Sequence, residues 1–262
     1  MRARHTLILT GFIGPVIAAA ALMLALSAPA DSAPGASRPD LAMARLADFS
    51  LDRPADGRIL LRFSAIIVNV GIGPMELNAT RSTTSESFTV AQTLFGSDGN
   101  VNVPTPGVTL VYGGDGHSHW HINNLERYDL KRLDNGVKVG TAAKSGFCFF
   151  DTTAFRTSLP GAPSSPVYWT TNACAYNNPS ATSVKLGISV GWGDRYAATL
   201  PDQYIDLTGL SDGKYRLEAV ADPSNWFAET NESNNITWVD LAITTHRKHG
   251  TSVKIISYGP SA

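Results

Sequence analysis

Three of the six histidines in this 262-residue chain, His117, His119 and His121, occupy alternate positions in the segment Gly-His-Ser-His-Trp-His. In an extended strand alternate side chains share a face, so the three imidazoles point one way while Ser118, Trp120 and Ile122 point the other. Crowding imidazoles onto one face is unfavourable once they become cationic at mildly acidic pH, and a shared metal ion removes that repulsion. Cysteine is scarce, with Cys148 and Cys174 alone present, so imidazole must dominate the donor set, which suits Cu(II), Zn(II), Fe or Ni. Ligand type does not separate copper from zinc, because both accept three imidazoles and leave positions open. The following Ile122, Leu125, Tyr128 and Leu130 supply apolar groups able to hold the segment rigid.

The elements that must carry this segment read as strands. Residues 58–71 are β-branched, partly alternating and closed by Gly, and similar runs recur at 87–94, 108–112, 120–130, 147–151, 184–190, 214–221, 236–244 and 253–258. Between them, Ser97-Asp98-Gly99-Asn100, Asp134-Asn135-Gly136 and Ser211-Asp212-Gly213 have turn chemistry, and the second is expected to close a hairpin. Apolar periodicity at helical spacing is not sustained after the N-terminal region. The expectation is an all-β, β-sandwich-like single domain with long loops and little helix.

The N-terminus carries Arg2 and Arg4, an apolar run over 16–26 and then Ala28-Pro29-Ala30, the small-x-small pattern of signal-peptide cleavage. Residues 1–30 therefore read as a signal peptide, 31–39 as a flexible leader and 40–262 as one domain. An uncleaved membrane anchor is the alternative reading of the apolar run, and no other segment is long and apolar enough to cross a bilayer. Removing residues 1–30 would leave a net charge of about −3 with no basic cluster, which argues against nucleic acid as a partner. Export to an oxidising compartment makes a Cys148–Cys174 bridge the expected state of the two thiols. Such a bridge would clamp the proline-rich run 159–166 and contribute roughly 3 kcal/mol.

Beyond the histidines, the order of short motifs resembles that of the lysyl oxidase family of copper amine oxidases over nearly the whole chain after the leader. The resemblance begins with Pro39-Asp40-Leu41, Leu60-Leu-Arg-Phe-Ser64, His117-Ser-His-Trp-His121 and Tyr128-Asp-Leu130. It continues through Lys144-Ser-Gly-Phe-Cys148 with Asp151-Thr152, Gly187-Ile-Ser-Val-Gly191, Asp194-Arg-Tyr196, Gln203-Tyr-Ile-Asp-Leu-Thr208 and Glu229-Thr-Asn-Glu-Ser-Asn-Asn235. Each fragment alone is weak, whereas their order and spacing together are specific. The chain has Gly113-Gly114-Asp115 where animal members carry Trp and an additional His, and it has few cysteines and no scavenger-receptor modules. In these respects it is similar to a minimal, bacterial-type member.

The resemblance implies copper at His117, His119 and His121 and a lysine tyrosylquinone cofactor made from Lys144 and Tyr196. A quinone carbonyl condenses with a primary amine and takes up electrons as a proton leaves the amine's α-carbon, a step that needs a general base. Asp194, two residues before Tyr196, is the first candidate for that base and Asp129 the second. The implied activity is that of a secreted or extracytoplasmic amine oxidase. It would convert primary amines, a protein lysine or a small amine, to aldehydes with O2, releasing hydrogen peroxide and ammonia, with no stable membrane insertion after signal cleavage. The resemblance also implies a calcium site formed by Asp40, the Leu41 carbonyl, Glu229, Asn231, Asn234 and Asn235, in a loop dense in oxygen donors. Two rival readings keep the three histidines and discard the oxidase: a non-catalytic exported copper-binding β-sandwich, and a zinc or iron enzyme using the same ligands. The presence of both Lys144 and Tyr196 favours the oxidase.

Overall fold

The structure is a computed structural model that describes residues 35–113, 117–144, 146–246 and 250–262, the side chain of His246 excepted. The expected signal peptide, the first part of the leader and residues 114–116 lie outside the described residues.

Leu60–Asn69 is buried along nearly its whole length, as a near-continuous apolar run predicts. It pairs antiparallel with Trp192–Tyr196, Tyr204–Asp206, Leu41–Met43 and Ala47–Asp52. A second sheet runs in the order Lys138–Thr141, Glu126–Arg132, Gly213–Ala221, Ile236–His246 and Gly250–Tyr258. Strict alternation along Gly213–Ala221 buries Tyr215, Leu217, Ala219 and Ala221 and gives that sheet a core face. The two sheets close on each other where Phe63 meets Tyr128 edge-on with ring centroids 5.1 Å apart. Leu61, Leu130, Ile205, Leu217 and Leu241 fill the same core, each contributing roughly 1.5–3 kcal/mol on burial.

Met75–Thr80 lies between Thr89–Gly96 and Ser183–Ile188 in a further sheet, and a short sheet of Gly146–Phe147, Trp120–Asn123 and Leu110–Tyr112 carries the histidine segment. The pairings are antiparallel and no helix occurs among the described residues, so the fold is all-β. It follows that no described helix is long and apolar enough to cross a membrane.

Several expectations need correction. Residues 120–130 do not form one strand: Asn124 takes a left-handed conformation, φ 56°, and separates Trp120–Asn123 from Glu126–Arg132, which belong to different sheets. Asn tolerates that conformation better than most residues because its short side chain can bond locally. Only Gly146–Phe147 is strand near 147–151. The Asp134-Asn135-Gly136 hairpin does form, with the Gly136 N–H donating to the Arg132 carbonyl and the Arg132 N–H to the Val137 carbonyl, both at 2.9 Å. Ala36–Ser37 pairs with Phe95 and Gly96, so the strand framework begins inside the stretch read as a leader. Gly71 permits this course, since a Cβ there would run into the backbone of Pro39 and Asp40.

Candidate active site

Of the three histidines only His121 lies within the Trp120–Asn123 strand; His117 and His119 precede it in irregular backbone. That backbone is held from outside. The Gly113 N–H donates to the His119 carbonyl at 2.9 Å and the Asn177 N–H to the Ser118 carbonyl at 2.7 Å. The imidazoles still converge, with ring centroids 5.0, 5.7 and 4.6 Å apart. One ring nitrogen from each lies within 4.8 Å of the others, and the Nε2 atoms of His119 and His121 are 2.8 Å apart. Imidazoles on one ion, with metal–nitrogen bonds of about 2.0–2.1 Å, place their donors roughly 3 Å apart, so this set fits a small divalent ion. Trp120 anchors the opposite side against Phe88 and Tyr112, its ring N–H donating to the Asn178 carbonyl at 3.0 Å. Gly146 lets its strand lie against His121, where a Cβ would stand 3.1 Å from that of the histidine.

One strand pairing leads from the imidazoles to the lysine and the tyrosine. Ile122, next to His121, pairs with Phe147, whose ring stands edge-on to Tyr196 at 4.7 Å. The Tyr196 hydroxyl accepts from the Cys148 N–H at 2.7 Å and donates to the Cys148 carbonyl at 3.1 Å. Burial pushes its phenol well above the usual range, which keeps it neutral. Lys144 is also buried, and its Nζ lies 5.1 Å from the centroid of the Tyr196 ring. Its course is set by the Ala142 N–H donating to the Tyr128 carbonyl at 3.1 Å and its own N–H to the Asp202 carbonyl at 3.0 Å.

Cys148 and Cys174 are bridged across 26 residues. The Cys174 carbonyl accepts the Trp120 N–H at 2.9 Å, so one bridge ties the clamp on Tyr196 to the backbone behind the histidines. Asp151, fully buried, steadies the same region by accepting from the N–H groups of Val167, Tyr168 and Ser189 and from the Ser189 hydroxyl.

Asp194 shares the inner face of its strand with Tyr196 and is buried. The Thr152 hydroxyl donates to its Oδ1 at 3.2 Å, while Oδ2 has no hydrogen-bond partner. Burial raises its carboxyl well above the usual range. Asp129 is not part of this site. Alternation turns it away from the face that carries Tyr128, and Arg127, Lys138 and Thr141 engage its carboxylate. Sequence reasoning missed Glu126 and Gln203, both sealed beside Tyr128. A signal for Glu126 existed in the parallel between Glu126-Arg-Tyr128 and Asp194-Arg-Tyr196.

At the other metal candidate the structure brings Asp40, Glu229, Asn234 and Asn235 together. The Leu41 N–H donates to Glu229, the Asn234 amide to Asp40 at 2.8 Å, and the Asn235 amide to Glu229 and Glu232 at 3.3 Å. Asn231 is occupied locally, its Oδ1 accepting from the N–H and hydroxyl of Ser233. Two carboxylates that sequence reasoning missed complete the cluster, since oxygens of Asp222, Glu229 and Glu232 lie within 4.8 Å of one another. Burial raises the carboxyls of Glu229, Asp222, Glu232 and Asp40, and like charge from neighbouring acids adds to the effect at Glu229 and Glu232.

Compared with known families, residues 111–253 match the family described as lysyl oxidase. The chain is 29% identical to the protein-lysine 6-oxidase of Gallus gallus over 143 residues, covering 54% of this chain and 30% of that protein. It is 27% identical to the human protein-lysine 6-oxidase over 146 residues, with the same shares covered. It is 33% identical to lysyl oxidase homolog 4 of Mus musculus over 121 residues, 46% of this chain and 14% of the relative. The matched stretch thus spans about a third or less of these relatives' length.

Proposed function

The chain belongs to the lysyl oxidase family, matched over more than half its length, and from that premise we propose that it is an exported, copper-dependent oxidase of primary amines. The observation that carries this reading is the sealed approach of Lys144 Nζ to the Tyr196 ring, 5.1 Å from its centroid, one strand pairing away from three convergent imidazoles. His117, His119 and His121 hold the copper. A lysine tyrosylquinone made from Lys144 and Tyr196 supplies an electrophilic carbonyl and an electron sink, so that a protein lysine or small amine is converted with O2 to an aldehyde, hydrogen peroxide and ammonia.

The surrounding residues position and deprotonate. The two hydrogen bonds from Cys148 fix the rotation of the Tyr196 ring, and Phe147 walls off water on one side. The backbone bonds of Ala142 and Lys144 aim the lysine at that ring. Nitrogen forms a bond only through a lone pair, so the Lys144 amine must first give up a proton. Asp194 is the base, for this step and for the substrate's α-carbon, because a buried, incompletely bonded carboxylate has a high affinity for a proton. Calcium, held by Asp40, Leu41, Glu229, Asn234 and Asn235 with help from Asp222 and Glu232, and with Asn231 shaping the loop through Ser233, pins the start of the domain to the 229–235 loop. The Cys148–Cys174 bridge supports an oxidising compartment outside the cytoplasm.

Copper-loaded protein treated with phenylhydrazine and digested is expected to yield a labelled peptide joining Lys144 to Tyr196. A copper-loaded protein with neither adduct nor joined peptide is a copper-binding protein without turnover, and the oxidase reading falls.

A further inference from the structure

Two strands present the same three-residue pattern to one space. Glu126-Arg127-Tyr128 opens Glu126–Arg132, and Asp194-Arg195-Tyr196 closes Trp192–Tyr196. In each, alternation sends the acid and the tyrosine inward and the arginine outward, where Arg127 pairs with Asp129 and Arg195 with Asp48. The inner faces meet through aromatic rings: Tyr128 to Phe147 at 6.1 Å and Phe147 to Tyr196 at 4.7 Å. Lys144 Nζ sits over both of the latter, 5.4 and 5.1 Å from their centroids. Glu126 is 3% exposed and neither of its carboxylate oxygens has a hydrogen-bond partner.

The charged groups that act on Glu126 are Asp194 from the facing strand and Lys144 from the segment before Gly146–Phe147. Tyr128 and Tyr196 complete its polar surroundings, and Asp151 acts in turn on Asp194. One buried ammonium balances one carboxylate. A second ionised carboxylate in the same dry space would carry an uncompensated charge, and protonation removes it. Asp194 has a donor, the Thr152 hydroxyl, that favours its ionised form, whereas Glu126 has none of good geometry.

Resting on the reading of Lys144 and Tyr196 as cofactor precursors, we propose that Glu126 and Asp194 share a single proton around the Lys144 amine, with Glu126 holding it and Asp194 ionised against the lysine. Glu126 is therefore a positioning residue that acts through Asp194. Burial raises both carboxyls, Glu126 to about 8 and Asp194 well above its usual range, so the pair keeps a proton at neutral pH, and the Thr152 hydroxyl on Asp194 selects which of the two ionises. The arrangement explains how a buried lysine can become nucleophilic. A Nζ–H bond of Lys144 breaks, an O–H bond forms on Asp194, no electrons change hands, and all three groups are left neutral. Were Glu126 ionised, the same transfer would strand a lone carboxylate in the core.

Infrared spectroscopy of the metal-free protein at pH 7 tests this through the carbonyl stretch of a protonated carboxyl. The acids around Glu229 contribute bands of their own, so wild-type-minus-variant spectra isolate the one in question. E126Q is expected to remove one such band. D194N is expected to remove it as well, because Glu126 then becomes the lysine's ionised partner. A band lost in E126Q and kept in D194N marks a structural buried acid and overturns the proposal, as does a wild type with no band that E126Q removes. If E126Q does not fold, E126D replaces it and should shift the band instead of removing it; if D194N does not fold, D194S replaces it with the same expected loss, and a band kept in D194S overturns the proposal. Once copper-loaded, E126Q should keep kcat near the wild-type value at pH 7, because the neutral amide stands in for the protonated acid, and should lose the decline that wild type shows as pH rises through about 8 and Glu126 ionises. Absence of a phenylhydrazine adduct in the wild type overturns the oxidase reading, whereas the infrared result decides the shared proton by itself.

Discussion

His117, His119 and His121 come from five consecutive positions, whereas Asp40, Asp222, Glu229 and Glu232 are gathered from opposite ends of the chain. The histidines ask little of the fold beyond a backing, which Trp120 and the 174–178 segment supply. Neutral imidazoles can converge at neutral pH without strong repulsion. The carboxylates, by contrast, lose water and face like charge as the chain folds, and their carboxyls are raised in consequence. The difference teaches that one donor set is a local chemical site which folding merely holds in place. The other is an electrostatic strain on the fold, of the kind that a cation would relieve on binding.

The contrast breaks most sharply on single ligands. H119A is expected to abolish bound copper, the joined Lys144–Tyr196 peptide and amine oxidation, measured by metal analysis and peptide mapping, while E229Q keeps all three. Joined peptide in H119A would show that the histidine set is not the site of cofactor assembly. Next in size is the bridge: the double variant C148S/C174S should lose roughly 3 kcal/mol in urea unfolding. It should also bind copper less tightly, because the bridge backs the histidine segment through Trp120; unchanged affinity would separate the two regions.

The smallest effect sharpens the acidic corner. A carboxyl raised by folding binds its proton more tightly in the folded state, so its contribution to stability is full below the unfolded value near pH 4 and fades as pH rises through the folded value. Calcium should therefore raise the melting temperature at pH 7.5, by the equivalent of roughly 1.4 kcal/mol at ten times Kd, and do little near pH 4. Equal shifts at both pH values would show that the Asp222, Glu229 and Glu232 carboxylates are not the ligands.

Much of the site could be read before the fold was known. The alternating histidines and the Asp134-Asn135-Gly136 turn rest on neighbours in the chain, and the cysteine pair on there being two cysteines; the turn and the bridge form, and the three imidazoles converge although His121 alone of them lies in a strand. Trp192–Tyr196 could not be read as a strand, because Trp-Gly-Asp-Arg-Tyr lacks a β-branched residue; it is one because Leu60–Asn69 offers it backbone partners. The break at Asn124 was hidden for the same reason, since sheet membership on either side depends on distant strands. The sequence by itself determined the donor chemistry, three imidazoles, one lysine, one tyrosine and two thiols, because residue type and local spacing are covalent properties. Only the tertiary structure decided what surrounds each acid, leaving Glu126 and Asp194 short of partners beside Tyr128 and Tyr196 and setting the equally buried Asp129 on the other face against Arg127, Lys138 and Thr141, because desolvation and pairing belong to the surroundings of a side chain and not to the side chain itself.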